Sequence, residues 1–401
     1  MINLIKNELT KIFKKKSIYV LLAIMLAFIT LNTFLINKYG IETESDIQSL
    51  EENDIEFIKE NLESYNKENI EEKKQYYYDL SEIEIYDLAK KYKETWKSAL
   101  IKQKLSDVIH NMNNSKYIEK DEEAYKKYKK EYDTFLNELD LYDWQYFANK
   151  EMKDLENQIA NIESQKKDSS KEEKEEYDEL IQTLKNKIEK VKLRIEKNIP
   201  YSNTYLEDAL RNYQVNFQTY DEYKKSVSEN SEKSTSKNEY KIKGEYIAQA
   251  TENAKAKYMI DNKTNLNNSK TVRNMLINTV SDNFLFIIII IASIAGSIVS
   301  SEFDKGTIKL LLVRPYSRTK ILLSKYIVTL FTILFSILAA LIMQLIVGGI
   351  FFGFDSLSIP VIVYNFTADK VMYINLFKYI FDNILAILPE FILLATLGFA
   401  I

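Results

Sequence analysis

Residues 301–326 read S-E-F-D-K-G-T-I-K-L-L-L-V-R-P-Y-S-R-T-K-I-L-L-S-K-Y and lie between two long apolar runs, 284–299 and 327–353. Each run is close to the roughly 20 residues that a helix needs to cross a bilayer. The segment between them contains six basic and two acidic residues. Because short basic loops between spans stay on the cytoplasmic side, this segment predicts the topology of the rest of the chain.

The loop has a helical pattern of its own. Thr307, which follows Gly306, can cap a helix start, and Leu311 and Leu312 then share one face with Ile308. Pro315 disfavours the helical conformation in the residue before it, so we expect about two turns. A two-turn apolar helix is not stable alone in water. We therefore expect it to rest on the membrane surface, on the rest of this chain or in a groove of a partner protein.

The N-terminal segment 1–17 places isoleucine and leucine at spacings of three and four residues, with its lysines mostly on other faces. This pattern predicts a basic amphipathic helix that contacts membrane lipid in the cytoplasmic headgroup layer. Flanking charges of a signal sequence are the alternative interpretation. The apolar run 18–36 has no small-residue cleavage site, so we predict an uncleaved first transmembrane helix.

Residues 37–282 contain no further span, which places them on the side opposite the N-terminus, outside the cytoplasm. They carry 51 acidic and 41 basic side chains. Apolar residues recur at helical spacing throughout, and two heptad-like runs flank a polar break within 150–198. We predict a large extracytoplasmic α-helical or coiled-coil domain that contains an antiparallel helical hairpin there.

After the large domain we predict a transmembrane helix over 283–300, the cytoplasmic loop 301–326 and a transmembrane helix over 327–353. An outer segment over 354–382 and a last transmembrane helix over 383–401 complete the chain. The fold class is thus an all-α membrane protein with about four transmembrane helices. Since the last apolar run ends without a basic tail, we expect the chain to be a fragment of a longer protein.

Two groups of residues in these spans are candidates for function. Ala292, Gly296 and Ser300 place a small residue at every fourth position, which allows close helix packing within the chain or between subunits. Gln344 and Glu390 are polar residues inside apolar runs, where such groups are costly and mark transport paths. Glu390 nearer the membrane interface, without such a role, is the alternative.

The composition excludes several classes of protein. There is no cysteine, and His110 is the single histidine, so we predict no metal site and no thiol chemistry. The sequence lacks a phosphate-binding G-x-x-x-x-G-K-[ST] loop, so this chain is not itself an ATPase, and we expect no catalytic residues. The acidic surplus of the large domain also argues against nucleic-acid binding.

The loop carries a longer pattern, E-x-x-x-G-T-x-x-x-L-L-x-x-P-x-S-R-x-x-I-L-x-S-K, which resembles the cytoplasmic loop of type 2 ABC transporter permeases. The N-terminal N-E-L-x-K-I-F-K-K-K, residues 7–16, is similar to the interfacial helix that opens the same family. The order of elements agrees as well: amphipathic helix, span, large outer insertion, span, basic loop, span. The resemblance covers residues 1–36 and about 284–350.

This resemblance implies a transmembrane subunit without its own nucleotide site, paired with a second permease subunit and with cytoplasmic ABC ATPase subunits that hold ATP and Mg. It implies six spans where this chain has about four. The short loop helix would then couple to the ATPase. The coupling residues that it implies are Glu302, Gly306, Thr307, Leu311, Leu312, Arg314, Pro315 and Arg318.

We accordingly expect an ATP-driven exporter subunit in a bacterial cytoplasmic membrane, with an amphipathic cargo such as a peptide, a lipid-like compound or a drug. The richness in Lys, Asn, Ile and Tyr suggests the bacterial origin. The alternative is a membrane-anchored helical stalk that acts as a surface scaffold, sensor or secretion-accessory protein without transport.

Overall fold

The computed structural model describes residues 1–40, 52–93, 95–167, 170–202, 204–229, 239–304 and 317–400. These residues are mostly helical. The helices are α1 (Ile2–Phe13), α2 (Lys16–Tyr39), α3 (Glu52–Asn61), α4 (Ile70–Lys90), α5 (Trp96–Leu100), α6 (Ser106–Asn114), α7 (Glu122–Leu141), α8 (Trp144–Lys166), α9 (Lys171–Glu196), α10 (Tyr205–Asn212), α11 (Tyr220–Glu229), α12 (Glu239–Asn262), α13 (Val272–Ile277), α14 (Thr279–Asp282), α15 (Phe284–Asp304), α16 (Arg318–Phe352) and α17 (Leu376–Ala400). Two π-helical segments, Ile101–Leu105 and Ser115–Glu119, flank α6, and the strands are β1 (Val361–Asn365) and β2 (Lys370–Ile374).

The chain forms two compact units. The first unit combines Met1–Glu42 with Asn268–Ile401, and the second unit is Thr43–Asn267. Residues 268–282, which the sequence analysis placed in the large outer domain, therefore lie in the first unit. They do so because α13 and α14 pack against α16, and α13 also packs against α17.

Among the described residues of the first unit, three helices are long and apolar enough to cross a membrane: α2, α16 and α17. The fourth predicted span corresponds to a shorter apolar helix, Phe284–Ile298, within α15. At about 1.5 Å per residue, the 35-residue α16 is longer than the ~30 Å of a hydrocarbon core. It begins at Arg318, nine residues before its apolar run, so part of the segment predicted as loop is helix.

The segment between α16 and α17 departs from the all-α prediction. β1 and β2 pair antiparallel, with Val361 opposite Ile374 and Asn365 opposite Lys370. Asn365 Oδ1 accepts hydrogen bonds from the backbone N–H of Thr367 and Ala368, both 2.9 Å away, which fixes the turn. Valine, isoleucine and tyrosine favour strands, and this β-rich composition is the signal that the outer-segment prediction over 354–382 left unused.

The second unit contains the two helices of the predicted hairpin, α8 and α9, which pack against each other. Leu155 of α8 and Leu184, Ile188 and Val191 of α9 share one apolar core with α4 to α7. Ser170 caps α9 in a capping box with Glu173, which satisfies free backbone donors at the helix start. This unit thus has a hydrophobic core of its own.

Candidate functional site

The chain that leads into α15 is a broken helix. Residues 272–304 form α13, α14 and α15 in succession, with non-helical backbone at Asn278 (φ −94°, ψ 3°) and Asn283 (φ −106°, ψ 11°). Asparagine side chains compete for backbone hydrogen bonds and so favour such interruptions. The Asn283 side chain does this here, since its Nδ2 donates to the Thr279 carbonyl oxygen over 2.9 Å. Broken helices at membrane depth occur where they are buried in protein or line a cavity.

Glycine allows the broken segment to lie against α16. A Cβ atom added to Gly348 would meet Met275 Sδ at 2.9 Å and Val272 Cγ2 at 3.1 Å, closer than ordinary van der Waals contact. Val272 and Met275 are themselves buried. A larger residue at position 348 would therefore push α13 away from α16.

Buried polar groups cluster where α14 meets α16. Thr279, Asn283 and Gln344 have exposed fractions of 1%, 0% and 2%. The Thr279 hydroxyl lies 3.0 Å from the Leu276 carbonyl oxygen and also contacts Gln344 Oε1. Asn283 Oδ1 is buried without a hydrogen-bond partner in the part of the chain that the structure describes. Such an unmet acceptor is costly in an apolar interior.

Asp282, the last residue of α14, lies directly before Asn283. Partial burial of the carboxyl group raises the pKa of Asp282, and a hydrogen bond from Gln344 opposes that rise. This bond requires the Gln344 amide nitrogen to face Asp282, which leaves Oε1 to accept from Thr279. The orientation of the Gln344 side chain is thus fixed by Asp282 at its amide nitrogen and by Thr279 at its oxygen.

A cavity of about 350 Å³ lies beside the break, between α13–α14 and α17. Its polar lining residues are Thr279, Ser281, Asn383 and Glu390. Glu390 follows Pro389 inside α17, and proline in a helix interior removes one backbone hydrogen bond. Glu390 is exposed at the surface of the first unit. Glu390 thus both lines this cavity and is accessible at the surface.

The structure brings the two predicted path residues, Gln344 and Glu390, to one neighbourhood. Thr279 connects them, because it contacts Gln344 and also lines the cavity with Glu390. Thr279, Asp282 and Asn283 were not predicted as site residues, because the first two were assigned to the large outer domain and Asn283 to the start of the next span. The available signal was the cluster N-T-V-S-D-N, residues 278–283, directly before an apolar run.

The predicted packing residues Ala292, Gly296 and Ser300 lie on an exposed face of α15. A Cβ atom added to Gly296 would meet nothing within 4 Å. Within the described residues the intrachain contact that the sequence allowed is not formed there. α15 instead approaches α17 on another face, where a Cβ atom at Gly398 would lie 3.2 Å from Ala295 Cβ.

Most of the predicted coupling residues lie outside the described residues: Gly306, Thr307, Leu311, Leu312, Arg314 and Pro315. Glu302 belongs to α15, and Arg318 is the exposed first residue of α16. The structure therefore describes the two helices that lead into and out of the predicted coupling segment.

A buried ion pair joins α1 to α16 next to that segment. Lys325 Nζ lies 2.8 Å from Glu8 Oε2 and donates to the Ile298 carbonyl oxygen over 2.9 Å. The exposed fractions of Glu8 and Lys325 are 7% and 3%. Lys15 Nζ contacts Ser297 Oγ at 2.6 Å, so α1, α15 and α16 are held together at this end.

A larger groove of about 810 Å³ lies in the second unit. It is lined by charges of both signs that partly neutralise one another, for example Lys104 with Glu151 at 2.7 Å. No group of three or more His, Cys, Asp or Glu that could hold a metal ion occurs among the described residues. The helix break in the first unit is therefore the best-defined candidate site. The first unit, Met1–Glu42 with Asn268–Ile401, is called the membrane unit below.

Comparison with known proteins identifies relatives of unknown activity. A family model described as a protein of unknown function, DUF2705, matches residues 244–400, from α12 to the end of α17. The "Uncharacterized protein YhcI" of Bacillus subtilis (strain 168) is 52% identical over 60 residues, 15% of this chain and 19% of that protein. The "Uncharacterized membrane protein YdbK" of the same organism is 48% identical over 60 residues, 15% of this chain and 24% of that protein. The chain thus spans less than a quarter of the length of either relative. No solved structure matches this chain.

Three long apolar helices and the likeness to a protein called a membrane protein lead to one conclusion. The chain is a multi-pass membrane protein.

Proposed function

We propose that this chain is the transmembrane permease subunit of an ATP-driven exporter that moves an amphipathic cargo. The observation that carries the proposal is the Glu8–Lys325 ion pair. Glu8 belongs to the N-terminal segment and Lys325 to the loop pattern, the two segments on which the resemblance to type 2 ABC permeases rests. Their burial against each other supports a single functional assembly at the end of the membrane unit that contains the loop.

In this proposal the loop end is cytoplasmic and the second unit lies outside the cell, in a bacterial cytoplasmic membrane. Two permease subunits pair, and cytoplasmic ABC ATPase subunits hold ATP and Mg. The loop helix, residues 306–315, occupies a cleft of the ATPase. Closure of the ATPase pair moves the loop, and α15 and α16 tilt because each is attached to one end of it.

The helix break can act as the hinge for this movement. α13 and α14 are short helices that precede α15, so a tilt of α15 can be absorbed at Asn278 and Asn283 without unfolding a long helix. The cavity beside Glu390 then forms part of the path. The exposed face of α15 at Ala292, Gly296 and Ser300 is available to the second subunit.

Co-purification from native membranes in mild detergent, with a tag at the N-terminus, tests the proposal. We expect a near-stoichiometric soluble ATPase to accompany the chain. Leu311→Asp with Leu312→Asp should remove the ATPase, because charge in the loop helix opposes its burial in the cleft. The matched control is Leu141→Asp with Leu180→Asp, two exposed leucines of the second unit.

An inserted, intact chain without any ATPase, or an ATPase retained by the loop variant, would overturn the proposal. Either result would favour the alternative, a membrane-anchored helical stalk whose second unit carries the activity.

A further inference from the structure

The helix break and its cavity are rich in hydrogen-bond acceptors. Glu390 supplies a carboxylate, and no Lys or Arg is among the described residues that line the cavity. Asp282 supplies a second carboxylate close by, next to Gln344. Glu390 lies within the apolar helix α17, where a carboxylate is unfavourable unless it faces water or an opposite charge.

A second observation also points to an unmet need for a hydrogen-bond donor near the cavity. Asn283 is fully buried, and its Oδ1 has no hydrogen-bond partner among the described residues. Its amide nitrogen is already used, since it donates to the Thr279 carbonyl oxygen. The unmet group at the break is therefore an acceptor, which a hydrogen-bond donor would satisfy.

Arg273 of α13 and Lys378 of α17 each have other partners. Arg273 donates to the Pro360 carbonyl oxygen over 2.9 Å and to Asn274 Oδ1 over 3.1 Å. Lys378, at the start of α17, lies 3.1 Å from the carboxylate of Asp382. Neither contact involves Glu390, whose carboxylate has no ion-pair partner among the described residues.

We propose that this cavity binds a cationic group, an ammonium or guanidinium carried by a largely apolar molecule, with Glu390 as its counter-ion. Thr279 and Asn383 add acceptors in the cavity. The cavity of about 350 Å³ is at the small end of ligand pockets, so it takes the charged group and a short apolar segment. This deepens the proposed function by naming the cargo class, and it rests on that function only for transport.

The experiment measures binding to the full chain in phosphatidylcholine nanodiscs, without ATPase or ATP. The probe is the dansyl amide of 1,5-diaminopentane, a fluorescent primary ammonium, and the reference is its uncharged N-acetyl form. We expect the ammonium probe to bind at least tenfold more tightly than the acetylated form. Glu390→Gln should abolish that preference, and Asn383→Leu, at another polar residue that lines the cavity, should reduce it.

The matched control is Asp382→Asn, the same chemical change on the same helix, at an exposed carboxylate outside the cavity. It should keep the full preference for the ammonium probe. Because Glu390 is exposed, Glu390→Gln should also keep the thermal midpoint of the wild-type chain, which separates lost binding from lost folding.

Equal binding of the two probes to the wild-type chain, or an undiminished preference in Glu390→Gln, would overturn the inference. Failure here is distinct from failure of the proposed function. A chain that co-purifies with an ATPase yet shows no charge preference remains a permease with another cargo. A chain that binds the ammonium probe but recruits no ATPase has a cation site without transport.

Discussion

Lys325 Nζ and Glu8 Oε2 lie 2.8 Å apart in the membrane unit, although 317 residues separate them in the sequence. The pair is buried, and Lys325 also donates to the Ile298 carbonyl oxygen. Desolvation offsets much of the attraction in such a pair, so its contribution lies in fixing which helices meet. Here it fixes α1 against the ends of α15 and α16 that lead to the predicted coupling segment.

Loss of either charge in this pair should destabilise the membrane unit. Glu8→Gln should cost about 3–5 kcal/mol, because Lys325 loses the buried carboxylate that it faces. Lys325→Met should cost less than Glu8→Gln, because Glu8 keeps its contact with Lys11. Trp96 and Trp144 both lie in the second unit, so tryptophan fluorescence reports that unit. The stability of the membrane unit should instead be measured by heating the detergent-solubilised chain. The fraction that stays monodisperse is then read by size-exclusion chromatography.

Lys11→Met is the control for this prediction. Lys11 pairs with the same Glu8 at 2.9 Å, but its side chain is half exposed. Exposed pairs contribute about 0–1 kcal/mol, so this variant should behave almost as the wild type. Equal losses in Lys11→Met and Lys325→Met would contradict the role of burial.

Close contact at Gly348 gives a second prediction. Gly348→Leu should destabilise the membrane unit by about 1–3 kcal/mol, since the new side chain meets Met275 and Val272. Gly296→Leu, in the same kind of apolar helix but in open space, should leave the stability of the single chain unchanged. If Gly296→Leu instead dissociates an oligomer without unfolding the chain, the exposed face of α15 is the subunit contact.

Asp282 should make stability depend on pH. Burial raises the pKa of Asp282, and Gln344 opposes part of the rise. The folded chain then binds more protons than the unfolded chain above the ordinary value of 3.8, so stability falls as pH rises through this window. Asp282→Asn should remove that fall, and thermal midpoints of both chains between pH 4 and 7 would measure it. Parallel pH profiles would contradict the assignment.

The second unit contains a buried pair that can be tested separately. Arg194 Nη2 lies 2.5 Å from Glu207 Oε1, and both side chains are buried. Arg194→Met should cost the second unit about 3–5 kcal/mol, read by tryptophan fluorescence in denaturant. Arg211→Met, which breaks the more exposed Arg211–Asp208 pair at 2.7 Å, should cost at most about 1 kcal/mol.

The sequence predicted those helices whose hydrophobic pattern is complete within a few turns. The apolar runs predicted α2, α16 and α17, and the spacing of isoleucine and leucine predicted α1. Heptad-like runs predicted α8 and α9. Helix ends were harder, because polar residues such as Glu302 extend α15 beyond its apolar run without changing the hydrophobic pattern.

Local sequence patterns predicted only part of the candidate site. Gln344 and Glu390 stood out because a polar residue in an apolar run is costly and therefore rare. Thr279, Asp282 and Asn283 did not, since a short polar cluster next to a charged domain looks like part of that domain. Their contact with α16 depends on the close approach at Gly348, which no local pattern encodes.

The sequence by itself determined a membrane protein with long apolar helices, a basic amphipathic start and a large acidic helical insertion, because hydrophobic period and charge act over single helices. Only the tertiary structure decided the broken helix beside Gln344, the β1–β2 hairpin and the Glu8–Lys325 pair. These features depend on which helix faces meet, and that choice is made by packing between residues far apart in the chain.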